Sequence, residues 1–395
     1  MVWTGLSVMD LRFCFVSACL RAEAAMSVLC REHGISRKTG YKWLDRYRAF
    51  GAAGLSDRSS ARLSFTSGVD PSASAAILAL RRLRPSWGPR KLLARLSMDD
   101  PAMVLPAAST VGDLLARAAL VTPRPRRVRE PAPSKPVVEA SSANASWAAD
   151  FKGWFRTGDG VRCEPLTVSD GYSRFLLVCQ AVPRPTFVEV KPLFVKAFRE
   201  HGLPLALRTD NGSPFASRGG LAGLTQFSVW LLTLGIWPDR IAPGRPDQNG
   251  RHERMHRTLQ EEPATPRSAD VASQQLRLDA WRQDYNTRRP HEALGQRCPA
   301  SFYTPSPRRY PEVLPDWSYP QDHHVRQVRA DGYIRWQDKA LYLTEALAGN
   351  QVALARRDDD DWQIRFRAFD LAIVEAESGK LRRSGLARSR QAGTS

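Results

Sequence analysis

Three carboxylates stand where packing gives no reason for an acid: Asp150 in W-A-A-D-F-K-G, Asp210 in L-R-T-D-N-G-S-P-F, and Glu253 in R-P-D-Q-N-G-R-H-E-R-M-H-R-T-L-Q (245–260). The first two follow runs that read as buried strands, and the third sits in a turn-to-helix segment crowded with cations. Acids gathered from two strands and a helix suit phosphoryl transfer assisted by two divalent cations, which activate an attacking oxygen and stabilise a leaving one. Mg2+, or Mn2+, takes oxygen ligands and keeps waters, so three carboxylates suffice to hold a pair of ions. Each acid alone is weak: an Asp at a strand end is commonly a turn or cap residue, and Glu253 is equally half of a surface pair with Arg257. Asn249, His256 and Arg257 lie at i−4, i+3 and i+4 from Glu253, which predicts one shared helical face.

Strands and helices must bring these acids together. Trp147–Trp154, Cys163–Ser169 and Arg174–Ala181 read as strands, with a D-G-Y-S turn (170–173) between the last two. Thr186–His201 reads as a helix whose Pro192 belongs in a first turn or at a kink, and Leu205–Thr209 reads as a fourth strand. Leu224, Phe227, Leu231 and Leu234 mark one face of a helix ending at Gly235; Asn249–Gln260 and 272–286 give two more, the last followed by Y-N-T-R-R-P-H. This order describes an α/β domain with a mixed sheet over 146–305. Asp150 falls in the first strand and Asp210 at the end of the fourth, where adjacent strands would set them side by side.

The rest of the chain points to a polyanionic partner. With 58 Lys+Arg against 40 Asp+Glu, the 395 residues carry a net charge of +18. Residues 1–130 hold 21 basic and 10 acidic side chains, and so carry +11 of it. Residues 1–60 have helix-turn-helix form: Met26–His33, a stop at Gly34, then Ser36 capping a helix to about Arg48. Tyr41, Leu44 and Tyr47, with Ile35 and Trp43, form its packing side, leaving Arg37, Lys38, Lys42 and Arg46 to face DNA. Residues 68–121 hold three more helices, 72–84, one beginning in 87–96, and Thr110–Ala119 capped by Ser109; they are a second DNA-binding unit or a helical spacer. Five prolines and Arg124, Arg126, Arg127 and Arg129 make 122–145 an extended basic linker. Short alternating runs over 322–375 suggest a small β-barrel-like domain, and 376–395 is a basic tail. Six cysteines lack metal or disulfide spacing and read as buried thiols of a cytoplasmic protein. Residues 6–20 read as a first helix and not as a signal peptide or membrane span.

The segments around all three acids, together with Y-N-T-R-R-P-H-E-A-L-G, resemble those of integrase-core transposases with an Asp-Asp-Glu triad. This ribonuclease-H-like group includes retroviral integrases and many bacterial insertion-sequence transposases. The resemblance covers roughly 145–305, and G-I-S-R-K-T-G-Y-K-W-L extends it to the helix-turn-helix. It implies a ribonuclease-H-like core, metal ligation by Asp150, Asp210 and Glu253, two Mg2+ or Mn2+ ions, and cutting and joining of double-stranded DNA at element ends and target. A homo-oligomer on DNA in the bacterial nucleoid, with no membrane partner, follows from that reading. The 42 residues between Asp210 and Glu253 exceed the retroviral spacing, and the excess falls around Ala216–Gly235 as an added loop and helix.

Other residues carry softer expectations. Lys152, Asn211, Asn249, Arg251 and Arg257 are candidate DNA contacts; Lys152 is otherwise a surface lysine, and Asn211 with Gly212 otherwise only a tight turn. His256 and His291 are candidate proton carriers or phosphate donors, and Trp336 is a DNA contact or a core aromatic. The competing readings are a catalytically silent DNA-binding regulator derived from such a transposase, and a nuclease of the same fold without joining activity.

Overall fold

The computed structural model describes residues 7–57, 69–121, 140–217, 221–242, 250–262, 267–314 and 316–388. The chain divides into two compact units, Met1–Gly68 and Val69–Ser395.

The smaller unit packs α1 (Val8–Leu20), α2 (Met26–Glu32) and α3 (Arg37–Phe50) around Phe15, Val16, Leu29, Trp43, Leu44 and Leu55. The Ser36 hydroxyl accepts from the Thr39 amide at 3.2 Å and so starts α3 where the cap signal places it. Gly40 lets α3 approach closely: a Cβ there would meet Cys30 Sγ at 2.6 Å and Phe15 Cζ at 2.9 Å. Trp43 and Leu44 face the core, but Tyr41 is 52% exposed, so the packing stripe is narrower than expected.

In the larger unit, α4 (Pro71–Leu83), α5 (Pro89–Asp99) and α6 (Ala108–Arg117) enclose Ile77, Trp87, Leu92, Val111 and Leu115. The α6 cap position is Ala107, not Ser109, and it makes no side-chain cap bond. Residues 122–139 of the expected linker lie outside the described residues, but 140–145 already belong to the fold. There Asn144 donates its amide to Asp170 at 2.8 Å and accepts the Trp147 indole N–H at 2.9 Å.

The central sheet holds β1 (Trp147–Phe151), β2 (Phe155–Arg156), β3 (Arg162–Asp170), β4 (Leu176–Val182), β5 (Ala206–Thr209) and β6 (Trp237–Arg240). Its order is β4-β3-β1-β5-β6, with β2 also on β3; β1–β3 and β3–β4 run antiparallel, β1–β5 and β5–β6 parallel. The mixed sheet matches the expectation, and β6 is a further strand to which the sequence assigns no element. One face carries α7 (Phe187–His201) and α8 (Gln226–Thr233), the other α9 (Gly250–Glu261) and α10 (Val271–Thr287). Pro192 lies in the second turn of α7, on the same exposed side as Val188, and the helix runs through it.

The C-terminal strands are β7 (His324–Gln327), β8 (Tyr333–Trp336), β9 (Lys339–Tyr342), β10 (Gln351–Arg356), β11 (Trp362–Phe366), β12 (Phe369–Val374) and β13 (Leu381–Arg388). They do not close into a barrel among the described residues. Five form an open antiparallel sheet, β13-β12-β11-β10-β7, and β8–β9 is a separate ribbon. Closure is unnecessary because the apolar face is already covered: Val352, Leu354, Ile364 and Phe366 pack with Leu221, Leu224, Val229 and Leu232 of the α8 region. Strand β13 takes in much of the expected basic tail, whose residues 389–395 lie outside the described set. Trp336 is buried against Trp362 and is a core aromatic.

Among the described residues no helix is long and apolar enough to cross a membrane. The six cysteines are free, and Cys14, expected to be buried, is exposed.

Candidate active site

Strand pairing places the two aspartates. Trp147 pairs with Leu207 and Ala148 with Arg208 in parallel register, and continuing that offset sets Asp150 beside Asp210. Trp147 and Ala149 point into the α7–α8 core, so the alternating residues Ala148 and Asp150 face the α9 side. Beyond β5 the Gly212 amide donates to Asp210 Oδ1 at 3.1 Å, and a Cβ on Gly212 would stand 2.9 Å from Oδ2. Glycine therefore leaves the carboxylate room in this turn. Asn211 donates its side-chain amide to the Ile241 carbonyl at 2.9 Å, joining the loops that follow β5 and β6.

Helix α9 crosses the sheet with His252, Met255, His256 and Leu259 buried, the i, i+3, i+4, i+7 stripe of a packed helix. Glu253, Arg254 and Arg257 face outward. His256 therefore does not share the face of Glu253 and Arg257; it turns to the sheet, with Nδ1 3.8 Å from Asp150 Oδ2. The Thr167 hydroxyl holds both rings, 2.7 Å from His252 Nε2 and 2.7 Å from His256 Nε2, and lies 3.1 Å from the Asp150 carbonyl. A hydroxyl has one proton, so at least one histidine must donate Nε2–H to it.

These groups are strongly shifted. Burial, then the charge of Asp210, pushes the Asp150 carboxyl up to about 7; the Phe151 amide opposes this, Glu253 adds to it, and Lys152 opposes it. Burial pushes His252 down to about 4, and burial, then His252 and Lys152, pushes His256 down to about 2. Burial, then Lys91, pushes His291 down to about 3. Burial thus holds all three rings in the neutral form near pH 7.

Among the described residues no three His, Cys, Asp or Glu side chains converge closely enough to hold a metal ion. The three acids sense one another through Asp150 without meeting at a point. Their chemistry fits Mg2+ or Mn2+ nonetheless: all offer oxygen, and the repulsion that lifts Asp150 is what a bound cation relieves.

The expected DNA-contact residues divide. Arg37, Lys38, Lys42 and Arg257 are exposed. Arg46 is turned inward: its Nη2 donates to the Ser56 carbonyl at 2.5 Å and its guanidinium lies 4.7 Å from the Trp43 ring centre. Arg251 donates to the Gly171 carbonyl at 3.1 Å. Lys152 is half-buried beside Asp150, and Asn249 lies outside the described residues.

Sequence reasoning missed Thr167, His252 and the supports around them. Asn286 clamps the start of β4, accepting from the Leu176 amide at 2.7 Å and donating to its carbonyl at 3.0 Å. Arg289 pairs with Glu262 at 2.8 Å, and Glu262 also accepts from Trp281 Nε1 at 2.8 Å and from Ser86. Much of the Y-N-T-R-R-P-H motif thus holds the architecture around α9.

Several parts of the chain are similar to known proteins. Integrase core domain models match residues 140–246 and 234–299, a homeodomain-like domain model matches 39–115, and a helix-turn-helix domain model matches 15–62. The chain is 30% identical over 165 residues to the insertion element IS407 31.7 kDa protein of Burkholderia multivorans, covering 40% of this chain and 55% of that one. It is 27% identical over 274 residues to the insertion element IS476 39.2 kDa protein of Xanthomonas euvesicatoria, covering 69% and 76% respectively. A putative transposase, y4bF, of Sinorhizobium fredii is 27% identical over 256 residues, covering 60% of this chain and 52% of its own. The chain thus spans little more than half the length of two of these relatives. Among solved structures, the HTLV-2 integrase catalytic core domain in complex with magnesium is 15% identical, covers 42% of this chain and 99% of its own, and superposes with a TM-score of 0.30. The simian T-cell lymphotropic virus intasome in complex with PP2A regulatory subunit B56 gamma is 14% identical, covers 79% and 98%, and gives 0.36. With integrase core and helix-turn-helix model matches and insertion-element relatives, this chain carries an integrase core domain and is similar to the integrase-core transposases of bacterial insertion elements.

Proposed function

We propose that the chain cleaves DNA at the ends of its parent element and joins the freed 3′-OH to target DNA, with Asp150, Asp210 and Glu253 holding two Mg2+ or Mn2+ ions. The pairing that sets Asp150 beside Asp210, with Asp150 lifted to about 7 by burial and by its acidic neighbours, carries the reading. Bound there, the cations would ease formation of the attacking oxygen and bear charge on the leaving one. The protein's part is positional. The Gly212 amide orients Asp210, and the Thr167–His252–His256 cluster braces the strand and helix on which Asp150 and Glu253 sit. The neutral His256 ring walls Asp150 without adding charge. Exposed Arg37, Lys38 and Lys42 on α3 supply contacts to the element ends, and Arg257 supplies one beside Glu253. Work on two ends requires at least two copies of the chain on DNA.

Asp210→Asn tests this. The variant should lose Mg2+-dependent nicking and joining of duplex DNA while binding that duplex as tightly as the parent chain. Unchanged joining by it overturns the proposal.

A further inference from the structure

A basic cavity opens on the α9 side of the sheet, and the proposed chemistry at the three acids does not use it. Its volume is about 420 Å3, and its walls include Arg174 of the β3–β4 turn, Arg251 at the start of α9, and Arg297, with Tyr172 and Phe302. Among the described residues no carboxylate lines it. Arg174 and Arg251 both donate to the Gly171 carbonyl, so two guanidiniums converge on one atom. The third, that of Arg297, lies 4.0 Å from the ring centre of Phe302. Asp170, the acid nearest in sequence, is committed elsewhere: it accepts from the Asn144 amide at 2.8 Å and from the Ser173 amide and hydroxyl at 2.7 and 2.6 Å. Burial, then the charge of Arg251, pushes Arg174 down to about 10. Tyr172, 41% exposed, adds an aromatic edge at the mouth.

We propose that this cavity seats a phosphodiester of the DNA strand whose scissile phosphate lies at the three acids. Three guanidiniums around a pocket of this size suit an oxyanion, and planar arginine forks match phosphate oxygens better than a point charge does. Position supports the same strand. Along β3, Asp170 pairs with Trp147 and Thr167 with Asp150, so the cavity's edge at Gly171 lies about four strand residues from the level of Asp150, roughly 13 Å. At about 3.4 Å of axial advance per nucleotide, the seated phosphate is about four nucleotides from the reacting one. The aromatic walls let the attached sugar and base pack without reading sequence.

The assignment rests on the strand-transfer reading, and its test separates the two. The full chain, kept in chelator so that nothing is cut, is treated with phenylglyoxal alone, with a mixed-sequence DNA duplex, or with inorganic phosphate, and modification of each arginine is read by mass spectrometry. The duplex should protect Arg251 and Arg297. Protection by inorganic phosphate but not by duplex, or by neither, overturns the proposal. Arg297→Gln provides an independent arm, since Arg297 is exposed and can be replaced without unpacking the fold. Its plot of log affinity against log salt should be shallower by about one, the loss of one phosphate contact, and an unchanged slope also overturns the proposal. A chain protected by duplex that fails to cut DNA in Mg2+ sinks the strand-transfer reading alone; a cutting chain without protection sinks the cavity alone.

Discussion

Replacing Asn286 by Ala should loosen the sheet at the turn that carries Arg174. Asn286 is 4% exposed, and its amide satisfies both backbone groups of Leu176, the first residue of β4. Truncation strands one buried N–H and one buried C=O, each at about 1–3 kcal/mol; partial entry of water into the hole brings the expected loss to about 3 kcal/mol. The larger unit spans roughly 330 residues, so at about 2.1 cal/mol/K per residue its unfolding entropy is about 0.7 kcal/mol/K, and the melting temperature should fall by about 4 °C. Calorimetry on the full chain reads that shift in the transition of the larger unit. Hydrogen exchange reads the cause, because local opening at Leu176 eased by about 3 kcal/mol speeds exchange of its amide by about a hundredfold. A shift under about 1 °C with unchanged exchange at Leu176 would refute the clamp and the magnitudes built on it.

Glu262→Gln leaves Arg289, only 6% exposed, without its counter-charge and should cost about 3 kcal/mol by denaturant unfolding at neutral pH. Burial raises the Glu262 pKa, but Arg289 and the hydrogen bonds from Ser86, Arg289 and Trp281 outweigh it and hold it below 4.5; the deficit should therefore be full above that value and shrink as pH falls through the lower folded one. Gly212→Ala should cut Mg2+-dependent nicking while changing the melting temperature little, because the new Cβ displaces the Asp210 carboxylate and not the backbone; full nicking by a folded variant contradicts this. Arg46→Ala should lower the stability of the first unit by about 1 kcal/mol through its lost bond to Ser56, whereas Arg37→Ala should flatten the salt dependence of DNA affinity by about one without a thermal effect. The opposite pattern would return Arg46 to the DNA face.

Legibility in the sequence followed local physics. Buried runs ending in acids identified β1 and β5, and the offset between them needed only adjacency to set Asp150 beside Asp210. β6 was invisible because W-P-D-R combines a proline and an aspartate that no propensity favours in a strand. It forms as an edge, where proline is tolerated, held to β5 by pairing and by the buried Arg208–Asp239 ion pair at 2.6 Å. The inward stripe of α9 was present in the sequence as His252, Met255, His256 and Leu259, but it was overshadowed by the surrounding cations. Which arginine of α3 turns back to a carbonyl depends on Ser56, ten residues away, and helical spacing does not encode it. Alternating residues announced the C-terminal strands but say nothing of closure, which was decided by what else covered their apolar face.

That cover has a consequence for shortened forms of the chain. Helix α8 belongs to two cores at once: Phe227, Trp230 and Leu231 pack beneath the central sheet, while Val229 and Leu232 pack beneath the C-terminal one. A helix apolar all round must be enclosed on every side. A chain ending before β10 should leave Leu221, Leu224, Val229 and Leu232 facing water as one adhesive patch. A C-terminally shortened chain is therefore expected to aggregate and not to persist in solution beside the full chain.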